Sequence, residues 1–364
     1  MLSEATPVFT FEPSPSRVTD DARALMLVDP GFGRVFTDHM AIAHYSADEG
    51  WHDMRITARR PLTLDPGTSV LHYAQEIFEG LKAYRRPEGR FALFRAEANA
   101  RRFNASARRM AMPDVPEAMF LESIRALVRA DKAWIPDSEE GALYLRPFMF
   151  ATEVFLGVKP AAEYLYIVMA SSVGAYFKGA PSISLWVTRE YSRAAPGGTG
   201  EAKCGGNYAT SLIAQAEAIE NGCDQVVFLD AVERRWVEEL GGMNIFFVFD
   251  DGSIATPPLA GTILHGITRD SILTLARDAG IAVREEPYSI EQWEADAKSG
   301  RLTEAFACGT AAVLTSIGSV RSANGEFAIG GQSIGPLTQR IREKLVAIQR
   351  GRASDPHGWI EELS

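Results

Sequence analysis

Residues Arg193 to Tyr208 read RAAPGGTGEAKCGGNY, and no other stretch narrows the possibilities as far. A single lysine, Lys203, stands between Gly197, Gly198 and Gly200 on one side and Gly205 and Gly206 on the other. Glycine lets a backbone turn tightly and approach a ligand closely. Asn207 is a good helix N-cap, and Ala209, Leu212, Ile213, Ala216 and Ile219 then recur at helical spacing. The pattern predicts an amine on a loop or extended segment just before an amphipathic helix. Two uses stay open: a solvated lysine in a flexible glycine loop, or an amine presented to a ligand. A P-loop is a poor fit, because Ala202 precedes the lysine and Cys204 follows it.

A chain of 364 residues is long enough for two domains and a large core. The formal net charge of −10 argues against a nucleic-acid partner, which would need a basic face. No apolar run reaches the length of a membrane span, and the first residues lack the apolar region of a signal peptide. Cys204, Cys223 and Cys308 are few, odd in number and far apart, which suggests a reducing cytoplasm rather than a disulfide framework. The six histidines show no metal-ligand spacing, so no metal site is expected.

Along the chain, residues 1 to about 20 read as an extended arm. Strand patterns start near Phe32–Met40 and recur at Phe91–Phe94, Leu143–Phe150 and Tyr164–Val173. Helical patterns cover Arg95–Met110 and Met119–Ala130. Gly174, Gly179 and Pro181 mark 174–182 as an interdomain linker between an N-terminal domain, 1–173, and a C-terminal domain, 183–364. Further strands are expected at Ile183–Thr188, Gln225–Leu229 and Asn244–Phe249, and helices at Ile267–Ala279 and Leu337–Gln349. Mixed strands and helices make each half α/β or α+β.

Several features suit pyridoxal phosphate, which needs a lysine, an acid beside its ring nitrogen and a phosphate cup. Lys203 can be the first. Glu238 and Glu239 are neighbours, and in a strand only one of them can face inward. The alternative is that both are solvent-facing charges at a strand end. His265-Gly266-Ile267-Thr268 opens a helix whose amides can face an anion, and Gly309-Thr310-Ala311 is a second small turn with a hydroxyl.

In combination, the blocks GFGRVFTDHM, LHYAQEIFEGLKAY, LYLRP, VGAYF, RAAPGGTGEAKCGGNY, VEELGGMNIFF, TPPL, HGITR and CGTAA resemble the branched-chain amino acid aminotransferases, class IV pyridoxal phosphate enzymes. The resemblance runs from Phe32 to the last helix. It implies the fold type IV architecture, with a smaller N-terminal α/β domain, a C-terminal pseudo-barrel domain and the cofactor between them, and at least a homodimer. It also implies reversible amino transfer between leucine, isoleucine or valine and 2-oxoglutarate, with glutamate as the other product. By position, Lys203 matches the Schiff-base lysine and Tyr208 the tyrosine on the ring's phenolic oxygen. Glu239, rather than Glu238, matches the partner of the ring nitrogen. Arg102, with Arg101 one slip away, matches the phosphate arginine. Ile267, Thr268 and Thr310 match the phosphate cup, and Leu264 the residue packed on the ring. Phe32, Tyr73, Phe78, Tyr144, Arg146, Tyr176 and Ala311 resemble the substrate pocket. Gly242 stands where relatives often carry threonine, so only its backbone can serve. Some relatives carry a CxxC pair after the Gly-Thr turn, where this chain has Ala312 to Thr315. Within the same fold, a D-amino acid aminotransferase or aminodeoxychorismate lyase would keep the lysine, glutamate and phosphate cup but change the pocket. A non-enzymatic pyridoxal phosphate carrier or a nucleotide-binding module is the reading from another class.

Overall fold

A computed structural model describes residues 7–174, 176, 182–331 and 333–363. Of the expected linker, only Gly174, Tyr176 and Ser182 fall within them, and the first six residues of the expected arm lie outside. The chain divides into two compact units, one of Met1–Tyr176, Ala202–Gly205 and Ile348–Ser364 and one of Phe177–Glu201 and Gly206–Ala347.

The first unit is built on a sheet of nine strands among the described residues. In spatial order they are Thr10–Phe11, Gly50–Ala58, Val35–Ser46, Glu163–Val173, Ala142–Ala151, Leu81–Arg85, Phe91–Phe94 and Ile360–Leu363, with Glu76–Phe78 paired onto Ala142–Ala151. All pairings are antiparallel except that of Thr10–Phe11 with Gly50–Ala58. Side chains alternate faces along a strand. Tyr164, Tyr166 and Val168 therefore join one core, with Phe103 and Phe120 from the helices Ala96–Arg109 and Glu117–Asp131. Leu165 and Ile167 join a second apolar cluster with Met40, Ile42 and Phe150. Each fully buried side chain of this size contributes about 1.5–3 kcal/mol.

In the second unit the strand order is Val237–Leu240, Gln225–Leu229, Ile183–Val187, Val313–Ser322, Leu302–Gly309, Asn244–Phe249, Ile254–Thr256 and Val283–Glu285. The order curls back on itself, because Trp236 forms a bridge with Ser289 and the Val237 amide donates to the Tyr288 carbonyl at 3.0 Å. Ile183, Leu185, Val187, Ile245, Phe247, Ala305 and Ala307 alternate into the enclosed core around Trp293. The opposite face of Gln225–Leu229 packs Val226 and Phe228 on Ala214 and Ala218 of the helix Leu212–Glu220.

That helix turns its small residues, not its large apolar ones, toward the sheet. Leu212, Ile213 and Ile219 are 69%, 51% and 66% exposed, while Ala214 and Ala218 are buried. The core contact is made by small residues because the helix lies close to its sheet. The helix is also split: a short helix Gly205–Ala209 precedes it, so Asn207 lies inside a helix rather than capping one. Its Nδ2 donates to the Thr199 carbonyl at 2.7 Å, and Thr199 Oγ1 donates to its Oδ1 at 2.8 Å.

Candidate active site

Lys203 is not carried on a loose loop. Its amide donates to Ser106 Oγ at 2.9 Å, and its carbonyl accepts the Phe78 amide at 2.9 Å. Ala202 and Cys204 on either side are buried in the core of the first unit, and the Gly205 amide donates to Glu76. Three anchors within four residues leave the side chain as the movable part. Lys203 Nζ lies 4.9 Å from the centroid of the Phe78 ring, and the Arg146 guanidinium lies 4.7 Å from the same ring. An aromatic face attracts cations at such distances.

Arg146 belongs to the group expected from the sequence. It shares a strand face with Tyr144 and donates from Nη2 to the Tyr144 hydroxyl at 3.1 Å. Its Nε is buried and meets no hydrogen-bond partner among the described residues. Phe32 packs edge-on against both Tyr144 and Tyr176, with centroids 5.0 and 4.9 Å apart. A Cβ on Gly80 would fall 2.1 Å from the Tyr144 hydroxyl, so only glycine admits that tyrosine. Tyr73 stands apart. It is 38% exposed, and its hydroxyl donates to the Leu156 carbonyl at 2.5 Å.

Arg102 and Arg101 separate cleanly. The Arg102 side chain is 10% exposed, whereas that of Arg101 is 59% exposed, facing Glu97 and Glu117. Arg102 meets Glu79 with two donors, Nε at 2.6 Å and Nη2 at 2.8 Å. Glu79 is fully buried. Burial alone would raise its carboxyl, but the charge and hydrogen bonds of Arg102, with Lys203 and Asn99, hold it below the usual carboxylate range. Glu76 goes the other way. Burial pushes it up, and the Gly205 amide and Arg146 pull it only part of the way back.

The second unit gathers its own group. Glu238 and Glu239 lie on the strand Val237–Leu240, and both are buried, so neither is a solvent-facing strand-end charge. Glu239 Oε1 lies 2.9 Å from Arg193 Nε in an ion pair with both side chains 5% exposed. Its Oε2 accepts Asn244 Nδ2 at 3.2 Å. Glu238 instead accepts the Thr262 hydroxyl at 2.5 Å, and burial raises its carboxyl above the usual range. Asn244 also donates to the Leu264 carbonyl at 3.1 Å, which ties Glu239 to the turn before the helix Ile267–Asp278. Gly266 stands at the N-cap of that helix and brings no side chain to cap it, and a Cβ there would lie 1.9 Å from Asn244 Oδ1. Gly242 lies against the Tyr208 ring, its Cβ position 3.5 Å from Cε1, and the corresponding position on Gly309 is 3.8 Å from the Gly242 carbonyl. Tyr208, Glu239, Gly242, Leu264, Ile267 and Thr268 are thus brought into one neighbourhood. Thr310 and Ala311 directly follow the strand Leu302–Gly309, which is paired with Asn244–Phe249.

Sequence reasoning did not single out Glu76, Glu79, Asn99, Ser106, Arg193 or Asn244 as functional. Arg193 and Asn244 fall within blocks of the family resemblance, but Arg193 meets Glu239 and Asn244 meets the Leu264 carbonyl, contacts that only folding makes. Glu79 and Asn99 are polar residues in otherwise apolar or small surroundings, a usable sign of a buried network.

The amino-transferase class IV family model matches residues 76–320. The chain is 55% identical over 361 residues to a probable branched-chain-amino-acid aminotransferase of Streptomyces coelicolor, covering 99% of each chain. It is also 55% identical over 361 residues to a branched-chain-amino-acid aminotransferase of Mycobacterium tuberculosis, covering 98% of each. Among solved structures, the branched-chain amino acid aminotransferase from Escherichia coli superposes with a TM-score of 0.73 at 29% identity, over 90% of this chain and 99% of that one. Together with the curled mixed sheet and the anchored lysine, these likenesses establish that the chain belongs to the class IV aminotransferases and has their fold.

Proposed function

We propose that this protein is a pyridoxal-phosphate-dependent aminotransferase that moves the amino group of leucine, isoleucine or valine to 2-oxoglutarate. The observation that carries the reading is Lys203, pinned through both backbone groups while its amine stays beside Phe78. The residues fit the cofactor. A helix start whose N-cap, Gly266, has no room for a Cβ beside Asn244 suits close approach of a phosphate to its backbone amides. Ile267, Thr268 and Thr310, with Arg102, would hold that phosphate; Tyr208 and Leu264 would hold the ring, and Gly242 would offer only backbone. Glu239, kept as a carboxylate partner by Arg193 and Asn244, would sit at the ring nitrogen. When bound, pyridoxal phosphate supplies an electron sink for the carbon that loses and gains the amino group.

The chain's own residues do the rest. Lys203 would tether the cofactor and, once displaced by the substrate amine, its Nζ would carry the proton from the substrate α-carbon to the cofactor carbon that receives the amino group, and back again for the second substrate. Its fixed backbone limits that proton's path. Phe32, Phe78, Tyr144, Tyr176 and Ala311 offer apolar and aromatic surface for a branched side chain. The buried, unmet Nε of Arg146 offers a charge for the carboxylate-bearing partner. Tyr73 enters this proposal on the resemblance alone. An apolar pocket discriminates one methylene by only about 1–3 kcal/mol, so all three branched-chain amino acids are substrates.

The same proposal includes the domains 1–173 and 183–364, a cytoplasmic location, supported by three free cysteines, and a homodimer. The exposed stripe Leu212, Ile213 and Ile219 supports the last, since apolar residues grouped on one helix face are what a second copy would cover. Sedimentation of Leu212→Glu/Ile219→Glu tests it: a monomer is expected, and an unchanged mass would remove this face from the interface. The activity is tested by incubating the protein and cofactor with leucine and 2-oxoglutarate. Glutamate and the branched keto acid are expected in equal amounts. Turnover of D-alanine with none of L-leucine would favour the D-amino acid reading.

A further inference from the structure

Glu79 is among the most constrained carboxylates in the first unit. Its side chain is fully buried, just past the strand Glu76–Phe78. Oε1 accepts Arg102 Nε at 2.6 Å. Oε2 accepts Arg102 Nη2 at 2.8 Å, Asn99 Nδ2 at 2.7 Å and the Gly80 amide at 2.9 Å. Asn99 and Arg102 are three apart on the helix Ala96–Arg109, so they present to one carboxylate from one face. The carboxylate is itself held by a backbone amide and a side-chain amide before it meets the arginine.

This is the arrangement that removes freedom from a long side chain. An arginine presents a rigid planar fork but reaches it through a flexible stem. Two parallel bonds on the Nε and Nη2 edge fix the plane of the fork and the direction of the edge that Glu79 does not use. From these contacts we propose that Glu79 is the positioning residue of Arg102, braced by Asn99, and that it aims the guanidinium at the phosphate of the cofactor. The inference rests on the reading of Arg102 as the phosphate arginine. Glu79 touches neither substrate nor cofactor in this role and is not a catalytic residue. Its charge is also a cost, since a carboxylate near a phosphate repels it. Orientation and charge must therefore be separated in the test.

Glu79→Asp keeps the charge and shortens the arm by one methylene, so the two-point contact with Arg102 cannot be kept. Asn99→Ala leaves Glu79 and Arg102 intact and removes one brace. Each variant and the parent protein are titrated with pyridoxal phosphate and with pyridoxal, and affinity is read from the absorbance of the bound cofactor. Pyridoxal shares the aldehyde and ring but carries no phosphate. The expected result for Glu79→Asp is a fall of about 10-fold in pyridoxal phosphate affinity, about 1.4 kcal/mol, with pyridoxal affinity within about 2-fold of the parent. Asn99→Ala should shift the same ratio in the same direction and by less. If both variants keep the parent's ratio, or if both ligands weaken equally, Glu79 is a structural ion-pair partner only and the proposal is wrong. If the parent itself shows no preference for the phosphorylated ligand, the reading of Arg102 fails, and this proposal falls with it.

Discussion

Replacing Arg193 by methionine isolates the most exposed assumption about Glu239, that its charge depends on one buried partner. Arg193 is 6% exposed, its Nε is 2.9 Å from Glu239 Oε1, and its Nη2 donates to the carbonyls of Gly200, at 3.2 Å, and Thr262. Methionine fills similar volume but strands a buried carboxylate, which costs about 3–5 kcal/mol. At about 2–4 °C of Tm per kcal/mol for a domain of this size, the apoprotein should melt roughly 6–20 °C lower. The loss should depend on pH. In the variant, burial without a counter-ion raises the folded-state pKa of Glu239 above its unfolded value of about 4.3. The folded form then keeps a proton that the unfolded chain releases. The deficit is therefore small below about pH 4.3 and grows as pH rises towards the folded pKa. Thermal melts of parent and variant should differ more at pH 8 than at pH 5. Arg193→Met/Glu239→Gln, which removes the stranded charge, should recover most of the loss. An equal deficit at both pH values, or a double variant no more stable than Arg193→Met alone, would refute the reasoning.

Glu239→Gln should lower turnover far more than Glu238→Gln, since only Glu239 is held by Arg193 and Asn244; equal effects in steady-state assays would mean the wrong glutamate has been chosen. Arg102→Ala should lose cofactor on dialysis while Arg101→Ala retains it, given an exposed Arg101 and a half-buried Arg102 fixed by Glu79; the reverse order would show a one-residue error. Mild peroxide should leave activity nearly unchanged and form no intramolecular disulfide, because all three cysteines are free and buried and burial pushes the Cys308 thiol well above its ordinary pKa. A Cys204–Cys308 bridge in the mass spectrum, with reversible loss of activity, would contradict this.

Much of the fold can be read from local patterns. The helix expected at Arg95–Met110 runs Ala96–Arg109, and the strands Gln225–Leu229 and Asn244–Phe249 have the expected ends. These segments carry their own periodicity. Gly50–Ala58 does not: it mixes Trp51, His52, Asp53 and Arg55, and Asp53 sits at a φ of 53°. It becomes a strand by pairing with Val35–Ser46, information that lies outside its own residues. The stripe Leu212, Ile213 and Ile219 shows a related limit, because helical spacing identifies an apolar face without saying what covers it. At the site, residue type pointed to Lys203 and to one of Glu238 and Glu239, while the family resemblance alone singled out Tyr208 and chose Glu239. The residues that hold Lys203 and Glu239, namely Ser106, Arg193 and Asn244, are ordinary polar residues whose contacts are set by folding.

Borohydride reduction of the protein loaded with pyridoxal phosphate, followed by peptide mapping, tests the central claim most directly. Reduction fixes the cofactor to whichever amine holds it. A phosphopyridoxyl group is expected on Lys203, with protection from labelling when excess leucine is added before reduction. The same label on Lys82 or another lysine, or a label on Lys203 that leucine leaves untouched, would contradict the account.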